Sequence, residues 1–207
     1  MFFSFDGIDG VGKSTQIGLF ADSLRSAGHD VVCCRDPGST QLGESLREIL
    51  LANDDVPIAP SSEMLIYMAA RAQLVNQIIR PALDAGKVVI SDRYLLANIV
   101  YQGYAGGLDV ESVRQVGEFA TGGLQPSLTF LLDMSVEAAA KRIDRTLDRM
   151  ESRGPEYLEQ VREGFLAEAA RRPDRIVVIN ASRDIGAIQK DITAAAEQSG
   201  FLKNAGC

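Results

Sequence analysis

A chain of 207 residues, 46% apolar and 24% charged, is long enough to bury one sizeable core and has the make-up of a globular domain. Its net charge of −7 argues against a nucleic-acid binder, which needs an excess of Lys and Arg, but leaves small phosphorylated ligands open. No apolar run approaches the ~20 residues of a membrane-spanning helix, and the opening Met1-Phe2-Phe3-Ser4-Phe5-Asp6-Gly7 has no basic region, so neither a membrane anchor nor a signal peptide is expected. Cys33 and Cys34 are adjacent and would point to opposite faces of a strand. With Cys207 at the terminus there is no disulfide framework or metal-ligand spacing, and a reducing, cytoplasmic setting is expected.

Taken in order, short β-rich runs alternate with helical patterns. Residues 2–5 read as a strand. Residues 13–27 read as a helix, with Ile17, Phe20, Ala21 and Leu24 on one face and Gly28 as its stop. A second strand covers 31–34. Helices are expected over 43–51 and 61–85, separated by a loop at 53–60, with Ser61 or Ser62 capping the longer one. Then come a strand at 87–91, a helix at 111–121 and a strand at 129–132. Helices at 137–149 and 156–171, a strand at 175–179 and a helix at 185–198 complete the chain. This alternation implies one α/β domain over 1–207, a parallel sheet of about five strands covered by helices on both faces. Ligands of such sheets sit at the carboxyl ends of the strands.

Gly7-Ile8-Asp9-Gly10-Val11-Gly12-Lys13-Ser14 fits G-x-x-x-x-G-K-[ST], followed by Thr15, and stands between an apolar strand and a helix. In such a phosphate-binding loop the glycines permit a tight turn whose backbone N–H groups chelate phosphate oxygens, assisted by the helix N-terminus. Lys13 is expected at the β- and γ-phosphates of ATP and Ser14 at Mg²⁺. The loop alone does not separate a kinase from a nucleotide switch. The guanine-reading N-K-x-D motif is absent, since Asn53 and Asn180 are not followed by Lys.

Phe5-Asp6-Gly7-Ile8-Asp9-Gly10 leads into the phosphate-binding loop. It is followed by Arg35-Asp36-Pro37-Gly38-Ser39-Thr40, Ala69-Ala70-Arg71-Ala72-Gln73-Leu74 and Ser91-Asp92-Arg93-Tyr94. In this order and spacing the sequence resembles the thymidylate kinases over nearly its whole length. The resemblance implies the three-layer P-loop kinase fold with a helical lid, and transfer of the ATP γ-phosphoryl group to dTMP. It also implies a homodimer. Asp9 would hold Mg²⁺ or the acceptor sugar hydroxyl, and Arg35 and Asp36 would help form the acceptor-phosphate site. The family pattern there is closer to R-E-P-G-G-T, so Ser39 replaces a glycine, at a cost if the position needs a positive φ. Tyr67 and Arg71, at i and i+4, would stack on thymine and reach its O4 edge. Both Val89-Ile90-Ser91-Asp92 and Thr129-Phe130-Leu131-Leu132-Asp133 end a strand in a carboxylate. The resemblance selects Asp92 for the metal-assisted phosphate site, with Arg93 neutralising the acceptor phosphate, and leaves Asp133 as a strand-end cap. Asn98 would meet the pyrimidine edge and Tyr101 would exclude a 2′-hydroxyl. Gln102 is as well explained by a local helix start as by the base.

The lid is expected over 141–153. If helical, Arg142, Arg145, Arg149 and Arg153 share one face. Some thymidylate kinases carry a basic residue in the phosphate-binding loop and others rely on lid arginines. Gly10 places this chain with the second kind, with Arg145 and Arg149 as catalytic candidates and Arg142 against adenine. The Asn180-Ala181-Ser182 loop would meet the other adenine face.

Overall fold

Continuous burial explains why the first strand sits at the centre of the molecule. In the strand β1 (Phe2–Asp6) every residue is buried, so both faces must be covered. The computed structural model describes residues 1–52, 57–144 and 149–200. β1 pairs in parallel with β3 (Val88–Asp92) on one side and β4 (Leu128–Asp133) on the other. β2 (Val31–Arg35) and β5 (Ile176–Asn180) form the edges, giving a five-stranded sheet in the order β2-β3-β1-β4-β5. Cys33 is exposed and Cys34 buried, as strand alternation requires.

Phe3 and Phe5 face Phe20 of the helix α1 (Lys13–Ser26) and their neighbour Phe130, with ring centroids 4.9–5.9 Å apart. Phe2 faces the other layer, edge-on to Tyr94. Aromatic clusters of this kind bury large areas with defined geometry, which fixes α1 over the sheet and thereby the loop before it. The helices α2 (Gln41–Leu51) and α3 (Pro60–Leu74) pack together near the end of β2. Thr40 caps α2 by accepting from Gly43 N at 2.9 Å. α3 begins at Pro60 with Ala59 at its N-cap, so neither Ser61 nor Ser62 caps it. Pro at the first turn is compatible because the missing N–H is unpaired there in any helix.

The long helix expected to Ala85 is interrupted. A π turn at Val75–Ile79 separates α3 from α4 (Arg80–Asp84), just before Pro81, whose ring would crowd the carbonyl four residues earlier. After β3, α5 (Leu95–Asn98) runs into a second π turn at Ile99–Tyr104, then α6 (Val110–Thr121). α7 (Val136–Ala140), α8 (Pro155–Arg171) and α9 (Ile185–Gln198) complete the three layers. Among the described residues no helix is long and apolar enough to cross a membrane.

Candidate active site

The sheet register brings the strand ends together. Phe5 and Arg35 both lie opposite Asp92, Asp36 N donates to Asp92 O, and Arg93 N donates to Phe5 O, each at 2.9 Å. The loop after β1 then turns into α1 through Gly12, whose φ of 94° is left-handed, and no side chain caps the helix. Lys13 is buried beneath the loop and donates to Gly7 O at 3.0 Å and Ile8 O at 2.9 Å. Gly10, at φ 84°, lies against α7, and a Cβ there would sit 2.3 Å from Ala139 O. Any side chain at Gly10 would therefore collide with backbone in this conformation.

The loop, Ser14, Thr15, Asp92, Arg142 and Arg183 line a cavity of about 690 Å³. A smaller cavity of about 90 Å³ is lined by Tyr67, Arg71, Asn98, Tyr101 and Gln102. Asp9, Asp36, Arg47 and Arg93 line both. Arg93 is the pivot of this junction. It donates to Gly7 O at 3.0 Å, to Asp9 Oδ1 at 2.9 Å and to the Tyr101 hydroxyl at 3.4 Å, with its guanidinium 5.1 Å from the Tyr101 ring centre. Burial alone would raise the Asp9 carboxyl, but the charges and hydrogen bonds of Arg93 and Lys13 together hold it well below the carboxylate range. Ser14 Oγ lies 3.5 Å from Asp92 Oδ2.

Asp6 was not anticipated from sequence as a site residue. It ends β1 fully buried, and neither carboxylate oxygen has a hydrogen-bond partner. Burial pushes its carboxyl up to about 7, against the pull of Arg93 and Lys13. A carboxyl raised on folding stabilises the protein fully below its unfolded pKa near 4, and that contribution is lost as pH rises through about 7. Asp6→Asn is therefore expected to flatten the fall in stability across this window, with a gain on the order of 2 kcal/mol at pH 8. Urea unfolding at several pH values reads this directly, and an unchanged slope would leave Asp6 with an ordinary carboxyl.

In the loop after β2, Ser39 has a φ of 64°, so the serine does occupy a left-handed position. Its Oγ compensates by accepting from Arg35 N at 2.8 Å, while Ser39 N donates to Glu44 at 2.6 Å. The left-handed cost of about 1 kcal/mol is close to the value of one hydrogen bond. Ser39→Gly should thus change stability by less than about 0.5 kcal/mol, whereas Ser39→Ala, which keeps the strain and loses the bond, should cost about 1 kcal/mol. A Ser39→Ala variant as stable as the parent in chemical denaturation would show that Oγ contributes nothing, and equal losses in the two variants would show that the position stores no strain. Arg35 itself is held by Glu44 at 2.9 Å, and Arg47 by Pro37 O at 3.1 Å.

Asp36 is buried against Arg71, whose Nε donates to Asp36 Oδ2. Arg71 also donates to Tyr94 O at 3.2 Å. Tyr67, one turn earlier on α3, joins it on the wall of the smaller cavity. Asn98, Tyr101 and Gln102 arrive from α5 and the π turn behind it.

The two cavities, meeting at arginines and opening at the strand ends, have the form of a donor site joined to an acceptor site. Compared with known families, residues 5–192 match the model for thymidylate kinase. The chain belongs to the thymidylate kinase family. It is 45% identical to a thymidylate kinase of Exiguobacterium sp., covering 93% of this chain and 92% of the relative. It is 43% identical to one of Kosmotoga olearia, covering 93% of each. The crystal structure of thymidylate kinase from Ehrlichia chaffeensis superposes with a TM-score of 0.79 at 30% identity, covering 94% of this chain and 97% of that one. Thymidylate kinases transfer the γ-phosphoryl group of ATP to dTMP, giving dTDP and ADP, and membership assigns that activity here.

A thymidylate kinase needs positive charge around the transferring group, and the structure distributes it differently from the sequence expectation. The helix expected over 137–149 ends at Ala140, where i→i+3 bonds from Arg142 N and Ile143 N close the turn, so Arg142 already lies beyond it. Arg145 lies outside the described residues. Arg149 lines neither cavity; it donates to Leu50 O at 2.8 Å and to Glu63 at 2.6 Å, and Arg153 joins the same carboxylate at 2.6 Å. Tertiary pairing with a buried acid has overridden the local stripe. Arg142 does line the larger cavity and donates to Ala181 O at 3.3 Å, which brings it to the loop after β5. Asp133 caps nothing: Ser135 caps α7, and Asp133 accepts a two-pronged pair from Arg162 at 2.7 and 3.0 Å. Arg47, Arg183 and Glu63 were missed from sequence because none lies in a recognisable motif.

Proposed function

We propose that Mg-ATP occupies the larger cavity and dTMP the smaller, so that the γ-phosphoryl group passes in line between them at the Arg93–Asp9 junction. The observation that carries this reading is that Asp9, Asp36, Arg47 and Arg93 line both cavities. Two anions must approach each other there, and two guanidinium groups screen their repulsion. Residues Gly7 to Thr15 cradle the donor phosphates, with Lys13 turning from the loop carbonyls to the β- and γ-oxygens. Arg142 and the 180–182 loop flank adenine, and Arg183 adds charge at the mouth of the cavity. Arg47 and Arg93 hold the acceptor phosphate, with Arg35 beside them on the wall of the larger cavity. Tyr67 stacks on the base, Arg71 donates to its O4 edge, Asn98 meets the adjoining edge, and Tyr101 stands where a 2′-hydroxyl would be.

Mg²⁺ fits the donor set. Ser14 and Asp92 offer hard oxygen ligands side by side, with Asp9 close to the same phosphates. Among the described residues no cluster of three acidic or thiol ligands forms a dedicated cage, which suits a cation that keeps waters and substrate phosphates as ligands. Bound there, the ion would neutralise charge on the β- and γ-oxygens. Transfer itself is direct, and the chain's contribution is position and electrostatic balance.

ADP release measured with a panel of nucleoside monophosphates tests the reading. dTMP should give the highest kcat/KM. Equal acceptor-dependent release across the panel would overturn the preference for dTMP, and release independent of acceptor would fit a nucleotide switch.

The chain is also proposed to act as a homodimer in the cytoplasm, and its acidic balance supports a reading without a nucleic-acid partner. The neighbouring helices α2, α3 and α6 expose Leu42, Ile49, Leu65 and Phe119, the last at 90%. Exposed apolar side chains on three helices that pack against one another suit a self-complementary interface. Phe119→Lys should shift the protein from dimer to monomer in sedimentation; a parent that already sediments as a monomer would refute the assignment.

A further inference from the structure

Behind the smaller cavity lies a chain of buried polar groups that no motif announces. Glu63, Gln102 and Asn98 are each 2% exposed. Asn98 Nδ2 donates to Gln102 Oε1 at 2.7 Å, and Gln102 Nε2 donates to Glu63 Oε1 at 2.9 Å. The other carboxylate oxygen of Glu63 accepts from Arg149 and Arg153. Glu63 lines neither cavity, whereas Asn98 and Gln102 line the smaller one.

The direction of this chain is not free. A carboxylate that meets two guanidinium groups and an amide acts as acceptor at both oxygens. Gln102 must therefore turn its NH₂ toward Glu63, which leaves its carbonyl facing Asn98. Asn98 must turn its own NH₂ toward Gln102. What remains is Asn98 Oδ1, which is buried and has no hydrogen-bond partner. An unsatisfied buried acceptor, here on a residue that lines the cavity, is costly unless a ligand supplies a donor.

We propose that Glu63 is a positioning residue that fixes, through Gln102, the hydrogen-bond polarity of Asn98, so that the cavity selects pyrimidines carrying a hydrogen on N3. This rests on the reading of the smaller cavity as the acceptor-base site. Thymine and uracil present N3–H to Asn98 Oδ1. Cytosine presents a lone pair at N3, and two acceptors then face each other. Reversing Asn98 to suit cytosine would set its carbonyl against that of Gln102. Reversing Gln102 as well would set its carbonyl against Glu63. The preference is thus enforced from a group that never touches the base, by the rule that a site built for one donor pattern rejects the opposite one.

Glu63→Gln gives a directional test. Arg149 and Arg153 would hold the new amide oxygen where Oε2 stands, placing the NH₂ toward Gln102. The chain then reverses as a unit and Asn98 turns its NH₂ to the cavity. Equilibrium binding of dTMP, dUMP and dCMP is measured by calorimetry on parent, Glu63→Gln and Gln102→Met, with folding checked by circular dichroism. The dCMP-to-dTMP affinity ratio is expected to rise at least about tenfold in Glu63→Gln, equivalent to one hydrogen bond. It should rise less in Gln102→Met, which only frees Asn98. The dUMP-to-dTMP ratio should stay within about twofold, because these bases share N3–H and differ by a methyl group; the Arg71 contribution is common to all three proteins. If Glu63→Gln does not fold, Gln102→Met decides alone. An unmoved dCMP ratio in the folded variants overturns the relay, as does an equal rise for dUMP, which would mean general loosening. A parent that binds dTMP but forms no dTDP overturns the proposed reaction and leaves the relay test standing. A parent that binds none of the three overturns both.

Discussion

Lys13→Ala is expected to lower phosphoryl transfer by about 10³-fold or more while the fold is retained. The expectation rests on charge, because the donor phosphates need a compact cation within the cradle and transfer depends on electrostatic stabilisation of the moving group. Lys13 is buried beneath the loop, where its ammonium bridges the carbonyls of Gly7 and Ile8 and lies 3.5 Å from Asp9. Removing it takes the ammonium from the Ile8 carbonyl and leaves Gly7 O with Arg93 alone, a stability cost of about 1–2 kcal/mol. Lys13→Met, which keeps the apolar stem, should recover part of that stability and none of the rate. Single-turnover transfer at saturating ATP, run beside calorimetric ATP binding and chemical denaturation, separates the two effects. A folded variant that transfers within tenfold of the parent would remove Lys13 from the cradle.

Much of this arrangement was legible because its signals are local. Glycine spacing before Lys13 announces the phosphate loop, and the alternation of apolar runs with helical patterns announces a parallel sheet whose strand ends hold the site. The acceptor loop was legible to the level of one residue: Ser39 stands at the left-handed position that its glycine-like place in the pattern implied. Features set by distant partners were not legible. Arg149 carries the same local pattern whether it faces a phosphate or Glu63, and only the packing of α3 brings that acid within 2.6 Å. Gln102 looked equally suited to the base or to the helix, and its amide turns out to be engaged on both sides by protein groups. The π turn at Val75–Ile79 leaves no periodic trace that separates it from an ordinary helix. Asp6 reads as the last residue of a strand, and nothing in the sequence says that both its oxygens are buried without a partner.

Arg93 offers the second large effect, because strain and function coincide there. Its φ of 67° is a left-handed conformation that a residue with a Cβ adopts at a cost of about 1–2 kcal/mol. Ser91 Oγ helps hold it by donating to Arg93 O at 2.6 Å. In that conformation the guanidinium spans Gly7 O, Asp9 and Tyr101, where the two cavities meet. Burial works against its charge, but Asp9, Asp92 and Asp6 outweigh burial and keep it protonated. Arg93→Ala and Arg93→Gly should both lower dTMP phosphorylation by about 10³-fold or more, since each removes the cation proposed to stand between the donor and acceptor phosphates. The two should differ in stability. The glycine variant lacks the left-handed penalty and should be more stable than the alanine variant by about 1 kcal/mol. Asp9 adds a pH signature. Its lowered carboxyl in the parent contributes stability above the ordinary carboxylate range, and that contribution is lost as pH falls through the depressed value. Without Arg93 the contribution shrinks, so the stability gap between parent and either variant should be wider at pH 7 than at pH 3. Equal stability of the Gly and Ala variants would show that the backbone at Arg93 stores no strain. Parental turnover in either one would move the site of transfer away from the junction.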